Sequence, residues 1–188
     1  MLYLSQIQGR KVWDAWSRPV GRCVDILVGA PEHPFPPIAA LKLEDSDAPV
    51  QFVPAEQISE LFPNVVLKVP REEVRPYTPG EGDLLLGARV IDRQIVDTEG
   101  RRVVRVNDLQ IARIEGRFCL TGVDVGGRGL LRRLGLERPA AAIARLVRRP
   151  LPKGVIPWED VAPLQQDDPL RLRISRERIS RLPPADIA

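Results

Sequence analysis

The sequence predicts an all-β protein built from two tandem copies of one small barrel, and three observations predict it. The first is an internal repeat, in which Arg10–Val28 aligns with Arg93–Ile111 at a constant offset of 83 without a gap. Arg10/Arg93, Asp14/Asp97, Arg18/Arg101, Val20/Val103, Arg22/Arg105 and Asp25/Asp108 are identical, and Val12/Ile95, Ile26/Leu109 and Val28/Ile111 agree in apolar character. Ordinary residue usage would supply only about one or two identities over such a stretch. The second is a further match at an offset of 103, Phe52-Val53-Pro54-Ala55-Glu56 against Val155-Ile156-Pro157-Trp158-Glu159. The third is punctuation: 19 prolines cut the apolar residues into short runs. Proline fixes φ and removes a backbone donor, so it ends strands and rarely sits within long helices. Five or six short strands per copy suit a small closed sheet, which also removes sticky edges.

The elements follow in chain order. Pro19–Val28 and its copy Arg102–Ile111 are rich in Val, Ile and Leu with partial alternation, and read as the first long strands. Their alternation slips near Asp25 and Asp108, the mark of a bulge. Before each lies a turn, Asp14-Ala-Trp-Ser17 and Asp97-Thr-Glu-Gly100. Asp at the first position of a type I turn accepts backbone N–H bonds, so these aspartates read as structural. Ile38–Leu43 and Phe118–Val123 come next, then Val50–Val53 and Val155–Ile156, each stopped by proline, then Val65–Val69 and Leu170–Ile174. Pro70 to Gly82 reads as the linker. The units are thus 1–69 and 83–174. Each is near the lower size at which one core suffices, so the two are expected to pack on each other.

The growth of the offset from 83 to 103 assigns about 20 extra residues to the second copy, within 126–150. Leu130, Leu131 and Leu134 fit one helical face, and Ile143, Leu146 and Val147 another, with Gly135 and Pro139 at the break. This insertion carries Arg128, Arg132, Arg133, Arg138, Arg145, Arg148 and Arg149 against Glu137 alone. Such a surface suits an acidic protein, RNA or the anionic cytosolic face of a membrane, or simply solvent. Sparse aromatic interleaving argues against a single-strand stacking platform. The candidate partner-binding residues are Arg128, Leu130, Leu131, Arg132, Arg133, Arg145, Arg148, Arg149 and Trp158.

Composition narrows the chemistry. The chain is 44% hydrophobic and 28% charged with a net charge of +3, as in folded soluble proteins. Cys23 and Cys119 lie in apolar runs and read as buried free thiols of a reducing compartment. The single histidine, His33, sits in a proline-rich loop without a nucleophile motif, and no zinc or calcium pattern is present. Gly126-Gly-Arg-Gly129 matches neither the P-loop nor the dinucleotide fingerprint. These observations point to no enzyme, cofactor or metal. A cytosolic chain without a transmembrane segment or signal peptide is expected.

Three motifs carry a family resemblance. Val12-Trp-Asp14 with Gly21-Arg22-Cys-Val-Asp25, and Ile95-Val-Asp97 with Gly100 and Arg105-Val-Asn-Asp108, resemble the opening of the PRC-barrel, the small β-barrel of the photosynthetic reaction centre H subunit and the ribosome maturation factor RimM. Ser17 stands where that family favours Gly. The run Val123-Asp-Val-Gly-Gly-Arg-Gly-Leu-Leu-Arg-Arg-Leu-Gly135 with Val155-Ile-Pro-Trp-Glu-Asp-Val161 resembles the second PRC-barrel of bacterial proteins related to the MgtE magnesium transporters. After Ser175, placed to cap a short helix, Leu182-Pro-Pro-Ala-Asp-Ile-Ala188 is similar to the first helix of the MgtE N-terminal helical domain. The resemblance implies two PRC-type barrels, the start of a helical domain at 175–188 cut from something longer, and partners in downstream helical and CBS domains, a second copy or another protein. It implies a non-catalytic cytosolic interaction or regulatory module, with RNA or ribosomal-protein binding, by analogy with RimM, as the alternative. No ion ligands come with it.

Overall fold

The structure, a computed structural model, describes residues 1–31, 33–46, 48–96, 103–126, 133 and 154–161. Within them the chain is almost entirely β. The strands are β1 (Leu2–Tyr3), β2 (Lys11–Trp13), β3 (Pro19–Val28), β4 (Ile38–Asp45), β5 (Ala48–Pro54), β6 (Ile58–Glu60), β7 (Val65–Leu67) and β8 (Leu84–Leu85). After them come the four-residue helix α1 (Leu86–Arg89), β9 (Gln94–Val96), β10 (Val103–Arg105), β11 (Asp108–Ile114), β12 (Arg117–Asp124) and β13 (Val155–Pro157). Single 3-10 turns sit at Leu4–Gln6, Ala55–Gln57, Arg71–Glu73 and Trp158–Asp160.

The repeat read in the sequence is a repeat of hydrogen bonding. Lys11 pairs with Arg22 and Val12 with Gly21, as Gln94 pairs with Arg105 and Ile95 with Val104. The Cys23 N–H donates to the Arg10 carbonyl and the Val106 N–H to that of Arg93, both at 2.9 Å. One bulge is shared. The β3–β4 register shifts between Leu27 and Val28, and the β11–β12 register shifts at the equivalent Gln110 and Ile111. The 103-residue match is equally literal. Ala40, Leu41 and Lys42 pair with Pro54, Val53 and Phe52, and Gly122, Val123 and Asp124 pair with Pro157, Ile156 and Val155. A 3-10 turn follows each proline.

Three expectations change. First, the sheets are not closed into barrels. In the first sheet, of order β5-β4-β3-β2-β7-β6 with β8 on β3, the ends β5 and β6 do not pair. The linker covers part of the β5 edge instead, with the Tyr77 N–H donating to the Phe52 carbonyl at 2.7 Å. Covering an edge satisfies its backbone groups as closure would. Second, the strand expected at Arg102–Ile111 is broken between β10 and β11. There the Asn107 N–H turns to the Asp124 carbonyl (2.8 Å), and the second copy divides into β9-β10 and β1-β11-β12-β13. Third, the predicted slip in β3 is real but double, at Cys23/Asp25 and again at Leu27/Val28. The Asp97 turn, most of the insertion, Leu170–Ile174 and the helix from Ser175 lie outside the described residues.

One apolar cluster runs through both copies, from Leu4, Ile7, Ile26 and Leu41 to Leu86, Val106, Leu109, Leu120 and Trp158. Units of this size gain burial fraction by sharing a core. Cys23, a member of this cluster, and Cys119 are buried free thiols, and burial pushes Cys23 up to about 12.

Candidate interaction site

The two copies are joined by exchanging their opening segments. β1, at the start of the first copy, adds to β11 of the second, Leu2 opposite Ile111 and Tyr3 opposite Gln110. β8, at the start of the second, adds to β3 of the first, Leu84 opposite Val28 and Leu85 opposite Leu27. These pairs are equivalent, so the exchange is reciprocal.

The repeated aspartates hold each exchange. Asp25 Oδ1 accepts the Gly87 N–H (2.6 Å) and Oδ2 the Ala88 N–H (3.0 Å), the first free donors of α1. Asp108 Oδ1 accepts the Ser5 N–H (3.1 Å) and Oδ2 the Ser5 hydroxyl (2.6 Å). Each Oδ1 also accepts the N–H of its own following residue, Ile26 or Leu109. A carboxylate at the start of a helical turn satisfies donors that have no partner within the turn. Both aspartates are buried. The sequence marked them as a bulge signal, and the capping role across copies escaped it. A weak signal existed: Leu2 and Leu4 match Leu84 and Leu86 at an offset of 82. The one-residue change hides it, because Leu4–Gln6 is a turn of three residues and Leu86–Arg89 one of four.

Two further contacts close the junction. The Leu120 N–H donates to the Pro36 carbonyl (2.9 Å) beside a bridge between Pro37 and Cys119. Trp158, expected on a partner-binding surface, is instead buried, with its indole N–H on the Pro31 carbonyl at 2.7 Å. It seats the second copy on the proline-rich loop of the first, because burying so large a ring requires a partner for its single donor.

Of the other candidates, Arg133 alone lies within the described residues; Arg128, Leu130, Leu131, Arg132, Arg145, Arg148 and Arg149 fall outside them. Arg133 forms a two-pronged pair with Asp92, Nη1 to Oδ1 at 2.8 Å and Nη2 to Oδ2 at 2.7 Å. Arg105 Nε reaches the same carboxylate at 3.1 Å. The Arg133 hydrogen bonds hold Asp92 below the usual carboxylate range against partial desolvation, aided by the charges of Arg133 and Arg105.

Asp14 behaves as its turn position predicts. Its Oδ1 accepts the N–H groups of Trp16 (2.9 Å) and Arg18 (2.8 Å), and its Oδ2 the Arg71 N–H (3.1 Å) and Arg18 Nε (2.8 Å). Desolvation pushes this carboxyl up, yet the bonds from the Arg18 backbone and guanidinium, then from Arg71 and Trp16, outweigh it and hold it far down. Arg18 also pairs with Glu72 of the linker, lowering that carboxyl, and stacks over the exposed Trp16 ring at 4.5 Å. Asp14, Asp25 and Asp108 thus all accept backbone N–H groups, and the Arg18 and Ser5 side chains add to the bonds of Asp14 and Asp108.

Among the described residues no group of three or more His, Cys, Asp or Glu is placed to hold a metal ion. Nor, among them, is any helix long and apolar enough to cross a membrane. Searches of protein-family models and of curated proteins return no match to this chain.

Proposed function

We propose that the chain is a non-catalytic interaction and regulatory module, two PRC-type units acting as the N-terminal accessory region of a magnesium-transporter-like protein. The observation that carries this reading is the reciprocal junction. Two copies that exchange opening segments and share one core present a fixed spacing between their outer surfaces, as a docking scaffold requires. The use of the buried Asp14, Asp25 and Asp108 as acceptors for backbone N–H groups supports it, since their oxygens serve the fold. The family context rests on the motifs around Asp14, Asp25, Asp108 and Gly126 and on the closing phrase Leu182–Ala188.

The test compares the full chain with a variant lacking 126–150 and with R145E/R148E. Each is run on size exclusion with the separately expressed helical and CBS region of an MgtE-type protein. Co-elution with the full chain and its loss in both variants is the expected result. Identical elution of all three would overturn the assignment of the insertion as contact surface. Tight, steeply salt-dependent RNA binding by the full chain would replace the proposal with an RNA-binding one.

A further inference from the structure

Asp92 holds a conformation that its counterpart in the first copy leaves to glycine. Its φ is 65°, and the equivalent residue, Gly9, has a φ of 76°. The backbone task is the same in both: the Gly9 N–H donates to the Cys23 carbonyl (2.7 Å) and the Asp92 N–H to that of Val106 (3.0 Å). The left-handed region suits glycine and strains residues that carry a Cβ, so local geometry alone favours Gly at position 92. The repeated arginine shows what the carboxylate adds. In the first copy Arg22 Nη1 donates to the Gly9 carbonyl at 2.9 Å, and in the second Arg105 donates to the Asp92 side chain. The same carboxylate then takes both prongs of Arg133, the arginine that comes from the extra residues found only in the second copy.

We propose that Asp92 is a dedicated anchor, a strained acidic residue that ties the arginine-rich insertion to the start of the second copy through Arg133. Arg105 also bonds the carboxylate, at Oδ1, and the negative charge of Asp108 adds to the attraction on Arg133. The side chains of Asp92 and Arg133 are both about a third exposed, at 39% and 35%. Salt therefore screens the attachment, and its strength falls as ionic strength rises.

The experiment uses the full chain and limited trypsin digestion, following cleavage after Arg145. That bond is not followed by proline, which would block the protease, and none of the variants changes the residues beside it. D92G replaces the strained residue by the one the first copy uses, so the fold is retained or strengthened while the anchor is lost. The expected result is cleavage at least threefold faster in D92G than in the parent, with an unchanged or higher Tm. R133Q should match it, and the charge-swapped D92R/R133D should return to the parental rate. In the parent, cleavage relative to an unstructured control peptide should rise between 0.05 and 1 M NaCl on the order of the D92G effect. Equal rates in D92G and the parent would overturn the proposal, as would a D92G variant that loses stability in step with its faster cleavage.

Discussion

Replacing Asp108 by Ala should unfasten the first seven residues from the second copy. The change deletes the acceptor for the Ser5 N–H, the Ser5 hydroxyl and the Leu109 N–H at a site with no solvent exposure. A hydrogen bond to a charged group contributes about 1.5–3 kcal/mol, and a donor left buried without a partner costs ~1–3 kcal/mol. These losses overlap, because Leu2–Gln6 can lift away and recover water. That retreat exposes Leu4, which is fully buried. A net loss of about 3 kcal/mol follows, equivalent to a fall in Tm of roughly 6–12 °C for a chain of this length. Urea unfolding followed by circular dichroism measures the loss, and hydrogen exchange locates it. The amides of Tyr3, Ser5 and Ile111 should lose protection while Val12 and Val65 in the first sheet keep theirs. Ser5→Ala removes one of the three donors and should cost about 1 kcal/mol, with the Asp108→Ala/Ser5→Ala double variant less than additive. The mirror change, Asp25→Ala, should release Gly87 and Ala88 instead. A loss below about 1 kcal/mol for Asp108→Ala, or loss of protection spread evenly over both copies, would refute reciprocal capping.

The remaining predictions concern other parts of the chain. Ser17 has a φ of 60°, so Ser17→Gly should raise stability by about 1 kcal/mol in urea unfolding, and a decrease would show that its hydroxyl matters more than its backbone. Asp14, Glu72 and Asp92 are all held below their ordinary values in the folded chain. A depressed folded pKa gives stability that is present above the unfolded value, near ~4, and is lost as pH falls through the folded one. Unfolding monitored between pH 6 and 2 should therefore show stability falling below about pH 4, and the gap between the parent and Asp14→Asn should narrow over that range without closing. Because burial pushes Cys23 up to about 12, iodoacetamide at pH 8 should leave it unlabelled in the native chain and label it in urea. Native labelling at the rate of a free thiol would contradict that burial.

Individual elements show where sequence reading succeeds. Pro19–Val28 was legible to the residue because alternating β-branched side chains and a proline at its start describe a strand without reference to anything else. Asp14 was legible because its turn is closed by groups within a few residues of it. The duplication was legible too, and its equal local patterns fold into equal pairings. Trp158 was misplaced. An aromatic residue after a proline looks the same whether it faces solvent or the loop of another unit, and here Pro31, far away in sequence, supplies its acceptor. The opening segments Leu2–Gln6 and Leu84–Arg89 carry too few residues for periodicity to register, and only their partners make them strands and turns.

The sequence by itself determined that this protein is β-rich, that one pattern occurs in it twice, where the strand Pro19–Val28 runs and that Asp14 closes a turn. These properties depend on neighbours along the chain, whose preferences add locally. Only the tertiary structure decided that the sheets stay open, that each copy lends its opening segment to the other, and that Asp25 and Asp108 cap turns in the opposite copy. It also decided that Asp92 meets Arg133. Such contacts join groups distant in sequence, and their free energy comes from burial and hydrogen bonding that exist only once both copies are in place.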